Sequence, residues 1–403
     1  MSTSNAKTGT TGAPTMTEEN DIPRGILIVD LGTQYAQLIA RRVREARGWC
    51  EIAPPHLAME RAEAMNLCGV ILSGGPASVY GDDAPDIPEE ILTLGVPVLG
   101  ICYGMQWMCQ HLGGQVDAVE AREFGRASIL VNKPSGVLDS IDGSTVVWMS
   151  HGDSVAKIPQ GFETYASTES CPFAVVGDES RGFFGLQFHP EVTHSVRGRE
   201  IIENFLMRVC KAPADWRPGS IVEREIEKVH ALVGETGEIV LGLSGGVDSS
   251  VAAVILQKAV GERLHCVFVD NGLLRFGERQ AVEDLFGGHF HMDLTVVDAR
   301  EEFLGALAGI SDPEQKRKVI GKVFVDIFRR EATRFSNAKF LGQGTLYPDV
   351  IESIPAHGGA THVIKSHHNV GGLPEDLDME LVEPLRELFK DEVREIGRHL
   401  GLA

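Results

Sequence analysis

The sequence contains no run of 18 apolar residues, no CxxC pair, and far fewer cations than anions. Without an 18-residue apolar run there is no candidate membrane span. Lys and Arg total 37 against 57 Asp and Glu, a formal net charge of -20. Polyphosphate would be repelled by such a chain, so a general nucleic-acid binder is excluded. Cysteines number only seven, an odd count, and they are scattered. That pattern gives neither a disulfide framework nor a zinc-ligand spacing, and it fits a reducing cytoplasm. The first 23 residues are rich in Ser, Thr, Gly and Asn and carry no apolar stretch of the kind a secretory signal needs. Residues 1–23 therefore read as a flexible tail.

What is present is a globular composition, 43% apolar and 23% charged over 403 residues, a length suited to two or three domains. From Gly25 the pattern runs strand, turn, helix, repeatedly. Apolar runs at 26–29, 70–72 and 96–101 read as strands, and 35–47 and 105–112 as helices. Two prolines and a glycine interrupt the periodicity at 211–220 (KAPADWRPGS), after which the alternation restarts. A strand at 239–243, a helix at 247–258 and a strand at 264–269 follow. Buried strands alternating with helices predict an α/β fold: two doubly wound parallel-sheet domains in tandem, at 24–212 and 213–403.

In Gly100-Ile101-Cys102-Tyr103-Gly104 an apolar strand runs into a G-x-C-x-G turn and out into a helix. Flanking glycines permit a tight, strained turn, and a helix N-terminus favours the thiolate. A lone cysteine is more often a core residue; the two glycines shift the balance toward a nucleophile. Such a thiol needs a base, and the base an orienting group. Phe188-His189-Pro190-Glu191 supplies both, because residues two apart in an extended segment project to one side. The oxyanion of a tetrahedral intermediate needs backbone donors. The amide of Tyr103 offers one, and Gly74 or Gly75 in the Ser73-Gly74-Gly75-Pro76 turn another.

Together SGGP, GICYGMQ and FHPE resemble the class I glutamine amidotransferase family, over residues 24–209. The resemblance implies that Cys102 attacks the side-chain amide of glutamine, with His189 protonating the departing ammonia and then activating water. It also implies that Gln106 helps hold the substrate and that Ser150-His151-Gly152-Asp153 lines its pocket.

A second loop, Ser244, Gly245, Gly246, Val247, Asp248, Ser249 and Ser250, lies between a strand and a helix. Consecutive glycines let main-chain amides converge on phosphate oxygens at a helix N-terminus. No lysine follows, so this is not the GxxxxGK[ST] loop, and transfer of the last phosphate is disfavoured. Asp248 with the Ser249 hydroxyl suits Mg2+ on a diphosphate. SGGVDS resembles the ATP pyrophosphatase family, which implies ATP binding and transfer of AMP, with Asp270-Asn271-Gly272 beside the adenosine pocket.

Longer strings narrow the acceptor. DPEQKR at 312–317, GTLYPDVIES at 344–353, KSHHNVGGLP at 365–374 and KDEVR at 390–394 resemble the family of glutamine-hydrolysing GMP synthases. The implied substrates are glutamine, ATP and xanthosine monophosphate, joined by a shielded path for ammonia. Arg317, Lys365 and Lys390 could neutralise phosphate oxygens, although Lys316-Arg317-Lys318 reads equally as a solvated helix face. His367 and His368 are adjacent, diverge in regular structure, and lack a partner at ligand spacing. In that family a smaller C-terminal domain dimerises and completes the acceptor pocket, whereas this sequence ends at Gly401-Leu402-Ala403 after a helical pattern. The homodimer is accordingly expected only where that domain is present. Three rival expectations stand: a chain with glutaminase activity alone, an NAD synthetase-like enzyme using another acceptor, and a binding protein without turnover.

Overall fold

Strands in the first half form where β-branched and aliphatic residues run together, and helices where they recur every third or fourth position. The computed structural model describes residues 23–81, 84–335, 337–352 and 379–402, and the chain divides into two units, Met1–Ala214 and Asp215–Ala403.

In the first unit nine strands form one sheet: β1 (Arg24–Val29), β2 (Trp49–Ala53), β3 (Asn66–Leu72), β4 (Val98–Ile101), β5 (Gln115–Val131), β6 (Ser144–Lys157), β7 (Glu163–Ser167), β8 (Val175–Asp178) and β9 (Phe183–Leu186). Their order is β2-β1-β3-β4-β9-β8-β7-β5-β6. The five strands from β2 to β9 are parallel. All but one of the residues of β1 are buried, as are all four of β4 and of β9, which is why these segments read as continuous apolar runs. Helices α1 (Ala36–Glu45), α2 (Ala58–Ala64), α3 (Tyr103–His111) and α4 (Gly198–Asn204) accompany this half. The other half, β8, β7, β5 and β6, is antiparallel. It extends the expected parallel sheet with an element that sequence periodicity left unread. Burial alternates along β6, so no continuous apolar run announces it.

The second unit holds a wholly parallel sheet of β10 (Glu238–Leu243), β11 (Leu264–Asp270), β12 (Asp293–Asp298), β13 (Ala338–Gly342) and β14 (Glu380–Val382), ordered β12-β11-β10-β13-β14. Its helices are α5 (Pro218–Val233), α6 (Val247–Val260), α7 (Glu278–Val282), α8 (Arg300–Leu307), α9 (Pro313–Ala332), α10 (Tyr347–Glu352) and α11 (Lys390–His399). Val240 and Val267 pack with Phe303 and Phe328, so α8 and α9 cover one face. Pro218 occupies the first turn of α5, where its missing N–H costs nothing. The proline that interrupts the sequence pattern at 211–220 thus starts a helix.

Both sheets place turns at the carboxyl ends of neighbouring parallel strands. In the first, β3, β4 and β9 lie side by side and lead to Gly74, Cys102 and His189. In the second, β10 and β13 are adjacent across the point where strand order reverses, the usual ligand crevice of open α/β sheets.

Candidate active sites

Cys102 caps α3 with φ 50 and ψ -105, a conformation that a residue with a Cβ adopts only under strain. The turn is fixed from several sides. Cys102 N–H donates to Leu186 O at 2.6 Å and Gly104 N–H to Ser73 O at 3.1 Å. A Cβ at Gly104 would stand 2.4 Å from Leu72 O, and one at Gly100 would stand 2.5 Å from the Met105 nitrogen. Both glycines are therefore required by close backbone approach, which is the physical content of the G-x-C-x-G pattern.

His189 gains support for its charge from the neighbouring Cys102 and bonds, through Nδ1, Glu191 Oε1 at 2.8 Å. Glu191 is fully buried. Its second oxygen, Oε2, has no hydrogen-bond partner among the described residues. Burial of the His189 ring opposes its charged form, yet the hydrogen bonds and charges of Cys102 and Glu191 outweigh it and lift the imidazole to about 10. The arrangement therefore favours a positively charged ring beside the sulfur, the surroundings in which a cysteine can act as a nucleophile. Elsewhere burial pushes thiols up, to about 11 at Cys68 and Cys171 and about 12 at Cys109 and Cys266.

A cavity of about 370 Å³ opens beside the sulfur, lined by Gly75, Cys102, Gln106, Phe124 and the 150–153 loop. Gly74 packs against the pair instead, since a Cβ there would meet His189 Cε1 at 2.9 Å. The Gln106 amide donates to Asp153 O at 2.7 Å and to Gln187 Oε1 at 3.4 Å, so in this structure it braces the cavity loop. Tyr103 is buried as the first residue of α3. Several supporting groups had no signal of their own in the sequence. Gln187 Nε2 approaches Cys102 Sγ at 3.8 Å, Tyr35 meets the His189 ring edge-on at 5.6 Å, and Ser195 Oγ donates to His189 O at 2.5 Å. Gln187 could have been found from alternation, two residues before His189.

In the second unit, Ser244 to Gly246 turn β10 into α6, with φ 76 at Gly245. Serine hydroxyls knit the turn: Ser249 Oγ accepts the Ser244 N–H at 3.2 Å and donates to Gly246 O at 3.1 Å, while Ser250 Oγ donates to the same carbonyl at 2.8 Å. Val247 begins α6. Asp248 pairs with Lys390, bringing two sequence-predicted residues from opposite ends of the unit to one point. A cavity of about 510 Å³ lies there, lined by Ser244, Asp248, Phe328, Gly344, Asp349 and Lys390 among others. Asp248 Oδ1 is buried with no hydrogen-bond partner among the described residues, so a hard oxygen donor suited to Mg2+ is in place. Ser249, the other predicted ligand, is occupied within the loop. Arg317 is exposed on α9 and pairs with Glu314 at 2.7 Å, the solvated helix face. Lys365 and the 365–374 string lie outside the described residues.

Residues 27–209 match the model of the class-I glutamine amidotransferases, and residues 221–273 that of NAD synthase. A glutamine-hydrolysing GMP synthase of Shewanella woodyi is 53% identical over 94% of this chain and 73% of its own length. One from Tolumonas auensis is 53% identical over the same shares. Among solved structures, a glutamine amidotransferase of Thermotoga maritima superposes with a TM-score of 0.39 at 19% identity, covering 47% of this chain and 99% of its own. No helix among the described residues is long and apolar enough to cross a membrane.

Proposed function

The chain belongs to the family of glutamine-hydrolysing GMP synthases, and from that premise we propose that its first unit releases ammonia from glutamine for its second unit to place on xanthosine monophosphate. Residues 24–212 are assigned to the glutaminase and residues 213–403 to the adenylating synthetase. The observation that carries this reading is the buried Cys102-His189-Glu191 line at a strained strand-to-helix turn.

Cys102 attacks the glutamine side-chain carbonyl. Backbone amides of Tyr103 and of Gly74 or Gly75 face the developing oxyanion. The His189 imidazolium gives its proton to the departing ammonia, leaving a glutamyl thioester on Cys102. Neutral His189 then takes a proton from water, which hydrolyses the thioester to glutamate. Glu191 holds the ring in the tautomer that keeps Nε2 toward the sulfur throughout. The Asp153 carbonyl, fixed by Gln106, is placed to accept from a polar group of the bound substrate.

In the second unit, ATP seats its phosphates on the Ser244 to Ser250 loop. Bound Mg2+ would supply charge neutralisation on the diphosphate, and Asp248 is the residue that fits it. Lys390, now paired with Asp248, has a phosphate within its chemistry once that carboxylate turns to the metal. Adenylation of the oxygen at carbon 2 of xanthosine monophosphate makes AMP the leaving group for ammonia, giving GMP, AMP and pyrophosphate. The seven cysteines, all free, suit the reducing cytoplasm in which we place the reaction.

The NAD synthase match favours one competing acceptor, but it spans only residues 221–273, from within α5 to just past β11, which includes the ATP loop and not the strings at 312–394. An assay of AMP release with xanthosine monophosphate or with a carboxylic acid acceptor, each with ammonium, decides. Turnover of the acid alone overturns the GMP synthase reading.

A further inference from the structure

A second set of soft ligands stands at the rim of the Cys102 cavity. The β5–β6 register sets Glu123 directly across from His151, and the turn after β7 brings in Cys171. One ligand atom from each lies within 4.8 Å of the other two. His151 and Cys171 are buried.

The hydrogen bonds fix which atoms face one another. His151 Nδ1 meets Asp153 O at 3.1 Å. A carbonyl only accepts, so Nδ1 carries a hydrogen and Nε2 is the ring nitrogen left to face Glu123. Nε2 faces Glu123 Oε2 at 3.3 Å, a contact that a proton bridges in the absence of metal and a cation can take over. Glu123 is held in this pose because its other oxygen, Oε1, accepts from Thr168 Oγ1 at 3.1 Å and from Ser170 Oγ. A histidine whose far nitrogen donates to a carbonyl and a carboxylate braced by hydroxyls are the outer-shell marks of metal ligands. N and O ligands on one tetrahedral zinc stand about 3.3–3.5 Å apart, which matches the observed separation. The Cys171 sulfur, within 4.8 Å of the other two ligand atoms, supplies a third protein ligand and leaves a fourth position for water.

We propose that Glu123, His151 and Cys171 bind a soft divalent cation of the zinc class and couple it to glutamine hydrolysis. The coupling runs through the backbone of the 150–153 loop. Ser150 O lies 3.6 Å from Cys102 Sγ, and Asp153 O accepts from both His151 and Gln106. A metal that draws His151 toward Cys171 moves this loop against the nucleophile, so the bound cation inhibits. Binding releases the Cys171 thiol proton and any proton shared between Nε2 and Oε2.

The test uses the full chain carrying Cys102→Ala, which removes the nucleophile as a competing ligand. Titration with Co2+ is expected to give one equivalent per chain with thiolate-to-cobalt charge-transfer absorption. Adding Cys171→Ser should abolish that band, and adding Glu123→Gln should weaken binding at least tenfold. In the otherwise native chain, Cys171→Ser should leave glutamine hydrolysis intact while removing its inhibition by micromolar Zn2+. A chain without the band, or a band that survives Cys171→Ser, overturns the proposal. Should a variant fold poorly, Zn2+ is still expected to raise the melting temperature of the Cys102→Ala chain, and no rise refutes the site. Because cobalt binding is read without turnover, failure here is separable from failure of the glutaminase reading.

Discussion

Replacing Glu191 by glutamine isolates the contribution of one buried charge. The side chain keeps its size, and its carbonyl can still accept from His189 Nδ1, so the geometry at 2.8 Å is retained while the charge is lost. A carboxylate and an imidazolium bonded at that distance have charges centred roughly 4 Å apart. Their attraction is worth about 4 kcal/mol at an effective dielectric constant of about 20. Cys102 still supports the charged ring, so part of this is retained. The new amide N–H group would take the place of Oε2, which has no partner among the described residues, and adds a desolvation cost. The expected loss in kcat/KM for glutamine is between about 100- and 1,000-fold, at 1.36 kcal/mol per decade. Glutaminase kinetics measure the loss. Synthesis driven by added ammonium in the same variant checks that the second unit is untouched. A folded Glu191→Gln chain that loses less than about tenfold refutes the assignment of Glu191 as the orienting anion.

Four further outcomes follow from the same geometry. Because His189 is lifted from 6.5 to about 10, its stabilising charge is fully present below 6.5 and disappears as pH rises through about 10. Glutamine hydrolysis should fall on that alkaline limb, and Glu191→Gln should move the limb downward in a pH–rate profile. Cys102→Ala should abolish glutamine use and spare ammonium-dependent synthesis; loss of both would show that the two chemistries share one site. Lys390→Ala removes a charged partner worth about 1.5–3 kcal/mol, so KM for ATP should rise about 10- to 100-fold with glutaminase activity unchanged. Gly104→Ala places a Cβ 2.4 Å from Leu72 O and should lower stability by about 1–3 kcal/mol in thermal or denaturant unfolding.

Residues close in sequence were the legible ones. The G-x-C-x-G turn, the H-P-E pair and the SGGVDS loop each carry their chemistry within a few positions, and strand-to-helix turns can be read from local pattern. The Lys390–Asp248 pair joins residues 142 apart, and no periodicity reports such a meeting. The antiparallel half of the first sheet was illegible for a different reason. Burial alternates along β6, and β5 and β6 shift register between Ala118 and Glu123, which breaks the alternation that would reveal them. Gln106 shows a third limit. Its place near the sulfur was readable, but its amide is spent on Asp153 and Gln187, and only coordinates show which partner a polar group has found.

The two loops solve one problem in opposite ways. Each ends a parallel strand and begins a helix through a turn that needs a positive φ. In the second unit that φ falls on Gly245, where it costs almost nothing, and the turn is free to shape itself to a phosphate. In the first it falls on Cys102, because the residue at the apex must carry the sulfur. Strain of about 1–3 kcal/mol then has to be held by the surroundings. The holding groups are visible: Leu186 O and Ser73 O take the main-chain hydrogens, and Gly100 and Gly104 let neighbouring backbone close in. Within these two turns the strain falls on the proposed nucleophile, while the proposed phosphate loop, which would offer backbone rather than a nucleophile, places glycine at the same point. Of these two turns, the proposed nucleophile's places a cysteine at positive φ and the proposed phosphate turn places a glycine there.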